Sequence, residues 1–388
     1  MIGSDSRKGE SYKQTRIMFI KKDARKIPQI LADATKRAEG PNPAEDDGND
    51  GGVVEELKFA RRAPEFLHSN HTIAMLLQPK FKPALDKLMR LSLYDCGLQS
   101  LAGIEEGPDA SRPPLFPKLE EIDLGRNPEL TNDSLPESFH TQFPDLRQLW
   151  MDDCSIGPSV PETMLRCGKL EVVRLTGNKL EGGLEEGIGL RFWRDIRVLA
   201  LDGNKLTSLG RGIGRLRHLE KIHLRQNNIS ELPDNFPGTS NLSLKMIGLS
   251  SNGLTALHGS FGDVGACLTE LYLNGNELRS LPDGLCEKLA GLRTFNLAHN
   301  KIGDSEDTTS NDDGGDAVMV DADPVRAALP GDFLERFGRP DPVTGLCAGE
   351  EGCTVRLEGN PLTESLKRRH VEEQKRRAKE AAMEAEST

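Results

Sequence analysis

Seven cysteines, eight histidines and two dense acidic runs are the parts of this 388-residue chain whose residue types could carry chemistry. The cysteines stand at Cys96, Cys154, Cys167, Cys267, Cys286, Cys347 and Cys353, with no C-x-x-C pair among them. Zinc ribbons and thioredoxin-type redox sites need that pair to bring two sulfurs together, so neither is written here. No two histidines are spaced H-x-x-x-H, the interval that points two imidazoles at a metal from one helix face. The stretch GRGIG at 210–214 misses the G-x-G-x-x-G spacing of a dinucleotide loop, and no GK[ST] phosphate loop or G-x-S-x-G elbow occurs.

The acidic runs pose an ion-binding question. Residues 304–323 hold eight acidic residues and no basic one, and 41–52 hold four more. A calcium loop of the EF-hand type needs oxygen ligands at positions 1, 3, 5 and 12 and glycine at 6. With Gly314 at position 6, Thr309 and Val320 fall on positions 1 and 12; with Gly315 there, position 5 is Gly314. Around Gly48 the two end positions are Pro43 and Val54. None of these registers fits, so both runs read as solvated acidic segments. They account for −12 of a formal charge of −11, leaving the rest of the chain near neutral, so net charge is not its means of steering a partner. No cofactor, no metal and no enzymatic activity are expected.

What positions residues along this chain is a repeat. The template L-x-x-L-x-L-x-x-N-x-L recurs nine times, among them LMRLSLYDCGL from Leu88, LRQLWMDDCSI from Leu146, LEKIHLRQNNI from Leu219 and LRTFNLAHNKI from Leu292. A partial tenth copy, CTVRLEGNPL, begins at Cys353. The x-L-x-L-x segment alternates with period two, which makes a short strand with one buried and one exposed face. Return segments marked by Leu-Pro, at Leu135-Pro136, Leu232-Pro233, Leu281-Pro282 and Leu329-Pro330, stop each strand. One coil cannot bury its own apolar face, so stability has to come from stacking.

This pattern is that of the leucine-rich repeat, which the chain resembles from Leu88 to about Leu362. The resemblance implies an α/β solenoid, a horseshoe with a parallel concave β-sheet of about ten strands and an irregular or short-helical convex side. It also implies that the template asparagines link neighbouring coils as a ladder: Asn127, Asn178, Asn204, Asn227, Asn252, Asn276, Asn300 and Asn360, with Cys96 and Cys154 in the same slot. Around the array at 88–362 the sequence predicts a basic N-terminal arm (1–40), an acidic linker (41–52), a helical N-terminal cap (53–87), an acidic disordered insertion (303–328) and a charged C-terminal helix (363–388). With the insertion in the convex loop of the ninth repeat, its removal is expected to leave folding intact.

The fifth and seventh residues of each copy face away from the core, and three of the chain's five Trp and Tyr residues fall there. Interface hot spots are enriched in Trp, Tyr and Arg. The candidate partner-binding residues are therefore Tyr94, Asp123, Trp150, Asp152, Arg174, His223, Arg225 and Tyr272. No membrane-length apolar run occurs and the first 30 residues lack a signal-peptide core, so a cytoplasmic location is expected, with the nucleus as the alternative. The 23–24-residue period with Leu-Pro is similar to that of cytosolic Ras-associated and plant Ras-group scaffolds. The expected function is an intracellular protein–protein interaction module, binding another protein and not a small molecule or nucleic acid. The alternatives are the substrate-recognition subunit of an enzyme complex such as a ubiquitin ligase, or an extracellular receptor-type array, which glycans at Asn132 or Asn228 would mark.

Overall fold

A computed structural model of the chain describes residues 16–19, 29, 31–32, 35, 54–59, 79–101, 114, 116–184, 192–263, 267–304, 325, 328–348 and 353–386. Two compact units divide it, the first reaching residue 156 and including 161–170, the second holding 157–160 and the chain from 171 onward.

In the first unit β1 (Arg16–Phe19), β2 (Glu56–Phe59), β3 (Arg90–Ser92), β4 (Glu121–Asp123) and β5 (Gln148–Trp150) pair in parallel in chain order. The register sets Leu57, Leu91, Ile122 and Leu149 in one row, none more than 4% exposed. Phe139, Phe143 and Phe116 fill the space behind the last two strands, with ring centroids 5.0 and 6.2 Å apart.

Two of these strands correct the sequence reading. The predicted helical cap over 53–87 contains β2, and the predicted basic arm contains β1. Val54, Leu57 and Phe59 have the spacing of the template's three leucines and are all buried, so period two prevails over the helical spacing of the same stretch. Phe in place of the third leucine and Arg62 in the asparagine slot hid this copy. Among the described residues of that stretch, helix is limited to a 3-10 turn at Pro79–Phe81 and the single turn Lys82–Leu85. The acidic linker at 41–52 and most of the acidic insertion lie outside the described residues.

The second unit contains β6 (Val172–Arg174), β7 (Glu181–Gly183), β8 (Val198–Ala200), β9 (Lys205–Ser208), β10 (Lys221–His223), β11 (Met246–Gly248), β12 (Glu270–Tyr272), β13 (Thr294–Asn296), β14 (Leu346–Ala348) and β15 (Thr354–Arg356). Its main sheet runs β6-β8-β10-β11-β12-β13-β15 in parallel and closes on antiparallel β14; β7 and β9 form a separate parallel pair. Val173, Leu199, Ile222, Ile247, Leu271, Phe295 and Val355 share one buried row. Each of the ten template copies thus forms a parallel strand, and both units are stacks of leucine-rich repeats.

The ladder explains why asparagine ends each strand. Asn127 Nδ2 donates to the carbonyls of Leu93 and Leu124 at 3.0 and 2.7 Å, while its Oδ1 accepts the amides of Cys96 and Leu98, both at 3.0 Å. One amide side chain thereby satisfies buried groups of two coils that no sheet bond reaches. Asn204, Asn227, Asn252, Asn276, Asn300 and Asn360 repeat the arrangement. Cys154, in the same slot, has Sγ 3.4 Å from the Leu124 carbonyl, a thinner version of the bond. Burial pushes the thiols of Cys96 and Cys154 up to about 12 and about 11, which removes them as nucleophiles.

On the side opposite the strands, short helices follow three of the four Leu-Pro steps, the exception being Leu232-Pro233. The helix Gly331–Phe337 fixes both ends of the helix Leu285–Lys288: Asp332 accepts the Cys286 amide at 2.9 Å, and Arg336 donates to the carbonyls of Cys286, Leu289 and Ala290. The segment after the acidic run is therefore seated by ionic capping at both poles of its neighbour. A last helix, Pro361–Glu386, starts on Asn360.

Candidate protein-binding face

The eight candidate residues divide between the units, four on each, and all lie on the strand face turned from the core. On the first unit, Asp123 is held by its neighbours: one carboxylate oxygen accepts the Ser92 hydroxyl at 3.1 Å and the other accepts the Gly125 amide at 3.0 Å. Gly125 occupies the seventh position of its copy, and a Cβ there would lie 3.1 Å from Cδ2 of Tyr94. The Tyr94 ring therefore lies across the strand after its own, in the space that the absent side chain leaves. The Arg126 guanidinium bonds Tyr94, which raises its pKa still further, with Asp95 and Asp153 adding to the effect. Trp150 is half-buried in the same register row as Ser92 and Asp123, and Asp152 follows two residues on.

Among the described residues, charge on this face leans acidic. Glu56 of the third-position row pairs with Lys58 of the fifth at 2.7 Å, and Arg90 pairs with Glu121 at 3.7 Å. Beyond the third-position row the described residues include Lys58 and Arg126 together with Asp95, Asp123, Asp152 and Asp153. Their common reach is visible at the ladder cysteines: after burial, Asp95 and Asp123 raise the Cys96 thiol, and Asp152, Asp153 and Asp123 raise that of Cys154.

The second unit is mixed in sign. The Tyr272 hydroxyl donates to Glu270 at 2.9 Å, and that bond raises the phenol pKa. His223 is half-buried; desolvation lowers its pKa, Asp202 and Glu270 oppose that, and Lys221 and Arg174 reinforce it. Asp202 also accepts the Arg225 amide at 2.6 Å. Arg174 and Arg225 are exposed.

Asp95, Arg126 and Asp153 escape a reading confined to fifth and seventh positions. They occupy the eighth, where every one of the ten copies places a residue with positive φ, between 52° and 73°. In four copies that residue is glycine (Gly177, Gly203, Gly275, Gly359), and in six it is not. Charged residues immediately before the ladder slot were the available signal.

Comparison with known proteins agrees with this architecture. The family described as Leucine rich repeat matches residues 243–302. Lumican of Oryctolagus cuniculus is 32% identical over 114 residues, covering 29% of this chain and 56% of that protein. Fibromodulin of Rattus norvegicus is 32% identical over 148 residues, covering 31% of this chain and 36% of that protein. The chain thus spans about half or less of these relatives. Among solved structures, the LRR ectodomain of the plant membrane receptor kinase GASSHO1/SCHENGEN3 from Arabidopsis thaliana aligns with a TM-score of 0.43 at 21% identity, covering 57% of this chain and 28% of that one.

The chain is built of leucine-rich repeats. Its curated relatives are proteoglycans and receptors and not enzymes. The expected cytoplasmic or nuclear location is overturned by the same comparison, because lumican and fibromodulin are extracellular matrix proteins and the relatives include receptors. Among the described residues no helix is long and apolar enough to cross a membrane.

Proposed function

We propose that this chain is an extracellular recognition array that binds a protein ligand through the outward residues of its strands, and that the first unit takes a Lys- or Arg-rich segment of that ligand. The observation that carries the reading is Tyr94 laid over Gly125 beside Asp123. An aromatic ring lies against the backbone of the next strand beside a carboxylate, a setting in which a cation can meet a π-face. Trp150 and Asp152 extend the same chemistry across the next strand. The likeness to lumican and fibromodulin supports an extracellular setting in place of the expected scaffold role inside the cell. On the second unit, Arg174, His223, Arg225 and Tyr272 mix both signs and favour no single ligand charge.

Fluorescence anisotropy with a labelled nine-residue Lys/Arg-rich peptide, and a Glu-rich peptide of the same length as control, tests the reading. The basic peptide should bind and weaken with salt. Tyr94→Ala and Asp152→Ala should each weaken it by about three- to thirty-fold, as loss of one cation–π or partly shielded ionic contact implies. Equal binding of both peptides, or unchanged affinity in folded variants, refutes it.

A further inference from the structure

Residues 367–379 of the helix Pro361–Glu386 carry seven cations against two carboxylates. The root of this helix is fixed in the last coil. Asn360 donates to the carbonyls of Leu297 and Leu357 at 2.9 and 2.8 Å, and the Thr363 hydroxyl donates to those of Leu357 and Asn360 at 3.1 and 2.9 Å. The Leu362 amide adds a bond to the Ile302 carbonyl at 3.0 Å. Leu362 and Thr363 are buried, whereas Arg368, Arg369 and every residue from Val371 to Glu380 are exposed. The basic stretch therefore stands on a fixed stem and meets solvent round its whole circumference.

Its cations share a face. At 3.6 residues per turn each position advances by about 100°, so Arg368, Arg369, Lys375, Arg376 and Lys379 fall within an arc of about 120°. From first to last they rise about 17 Å along the axis, and Glu372 is the one carboxylate within the arc. Arg376 pairs with Glu380 at 3.8 Å, and Arg377, on the next face, pairs with Glu373. Those two pairs are helix support of the ordinary i,i+4 kind. Among the described residues, Arg368, Arg369, Lys375 and Lys379 make no ion pair, so helix support does not account for them. Four cations that no carboxylate engages are presented in one stripe, a pattern that attracts a polyanion.

We propose that this stripe binds a sulfated polysaccharide. The residues around the cations select that class. From 361 to 386 there is no Phe, Tyr or Trp, the side chains on which unpaired nucleic-acid bases stack. Val371 and Ala378 are the only apolar residues between 367 and 380, so the helix has no apolar face to sink into a lipid surface. A protein partner binds through anchors seated in desolvated pockets, and a fully exposed stripe without an aromatic residue offers none. The ligand that fits presents repeated negative charge and needs nothing else, as sulfates and carboxylates along a sugar chain do. Each Arg guanidinium can meet two oxygens of one sulfate, and Lys375 and Lys379 add point charges. Double-stranded nucleic acid offers similar charge; the extracellular setting of the proposed function decides against it, and in that one respect the inference rests on that reading.

Fluorescence anisotropy of the full chain with a labelled heparin oligosaccharide tests the proposal, with the desulfated oligosaccharide, a DNA duplex of equal charge and phosphatidylserine vesicles as competitors. Heparin should bind, weaken as salt is raised, and resist displacement by all three. Arg368→Gln, Lys375→Gln and Lys379→Gln combined should weaken it by about ten- to a hundred-fold, as the loss of three exposed ionic contacts implies. Arg211→Gln, Arg215→Gln and Arg217→Gln combined remove the same charge from exposed positions elsewhere on the second unit and should leave the affinity within about two-fold. Far-UV circular dichroism should report both variants as folded. Absence of heparin binding overturns the proposal, as does unchanged affinity in the helix variant, an equal loss in the second variant, or ready displacement by any competitor. Tyr94→Ala should leave heparin binding unaltered, and a glycan at Asn228 reports the extracellular setting by itself, so failure of this site is distinguishable from failure of the strand-face reading.

Discussion

Replacing Asn227 with alanine should destabilise the second unit by about 3–5 kcal/mol, and the structure says where that figure comes from. Asn227 donates to the carbonyls of Leu201 and Leu224 at 3.0 and 3.1 Å and accepts the Leu206 amide at 3.0 Å. Neither carbonyl is orphaned by its loss, because Asn204 also donates to Leu201 at 2.9 Å and Asn252 to Leu224 at 2.8 Å. Only the Leu206 amide is left buried and unpaired, at about 1–3 kcal/mol, with about 1 kcal/mol lost for each of the two donated bonds. That redundancy makes a second, sharper prediction of the same experiment. In Asn204→Ala with Asn227→Ala the Leu201 carbonyl loses both donors, so the pair should cost at least about 1 kcal/mol more than the sum of the singles. Asn227→Ala with Asn360→Ala share no carbonyl and should add within about 0.5 kcal/mol. Urea denaturation followed by circular dichroism measures all five variants. Additive behaviour of the Asn204/Asn227 pair, or a single substitution costing under about 1 kcal/mol, would refute the shared-carbonyl account of the ladder.

Two further outcomes follow from side-chain environments. His223 has a folded-state pKa below its ordinary value of 6.5, first because of burial, so the unfolded chain binds more protons just below that value. Its contribution to stability is full above about 6.5 and is lost as pH falls through the ordinary value towards the folded one; His223→Gln should flatten the thermal-stability slope there, and an unchanged slope would contradict the environment described. In secreted material, the exposed Asn228 of the triplet Asn228-Ile229-Ser230 should carry an N-linked glycan, while Asn241, 0% exposed and bonded to Ile213 and Leu216, should not. Mass mapping before and after glycosidase treatment decides it, and occupied Asn241 with bare Asn228 would show the exposures to be inverted.

The repeat was legible because its physics is local. Period-two alternation, a turn-ending asparagine and a Leu-Pro return each declare themselves within eleven or so residues, and ten strands appear where the template placed them. What stayed hidden were copies that break the local signature. β2 has the leucine spacing but lacks the asparagine, and β1 is recognisable only through its pairing with β2. Compartment was illegible for a different reason. Leucine stacking and amide ladders serve inside and outside the cell alike, so residues that dictate the fold carry no address, and the likeness to Ras-associated scaffolds rested on Leu-Pro steps that are a backbone device. On the strand face, positions could be read but contacts could not: nothing in the sequence tells that Gly125 is filled by Tyr94, whereas the nearest atoms to a Cβ on Gly248, another outward glycine, are backbone atoms of Ile222 and His223 and the sulfur of Met246.

The eighth position of the repeat adds an argument about where function lies. Its backbone is left-handed in all ten copies, a conformation open to glycine, tolerated by Asp, and costing an ordinary side chain such as that of Arg126 roughly 1 kcal/mol. In the second unit, glycine takes the slot four times out of seven. In the three template copies of the first unit it never does: Asp95, Arg126 and Asp153 hold it, each a charged side chain kept at the expense of backbone comfort. Strain retained in consecutive copies is more economically explained by what the side chains do than by the turn itself. Those three charges border Tyr94, Asp123, Trp150 and Asp152, so the strained positions and the acidic, aromatic surface coincide on the same strands.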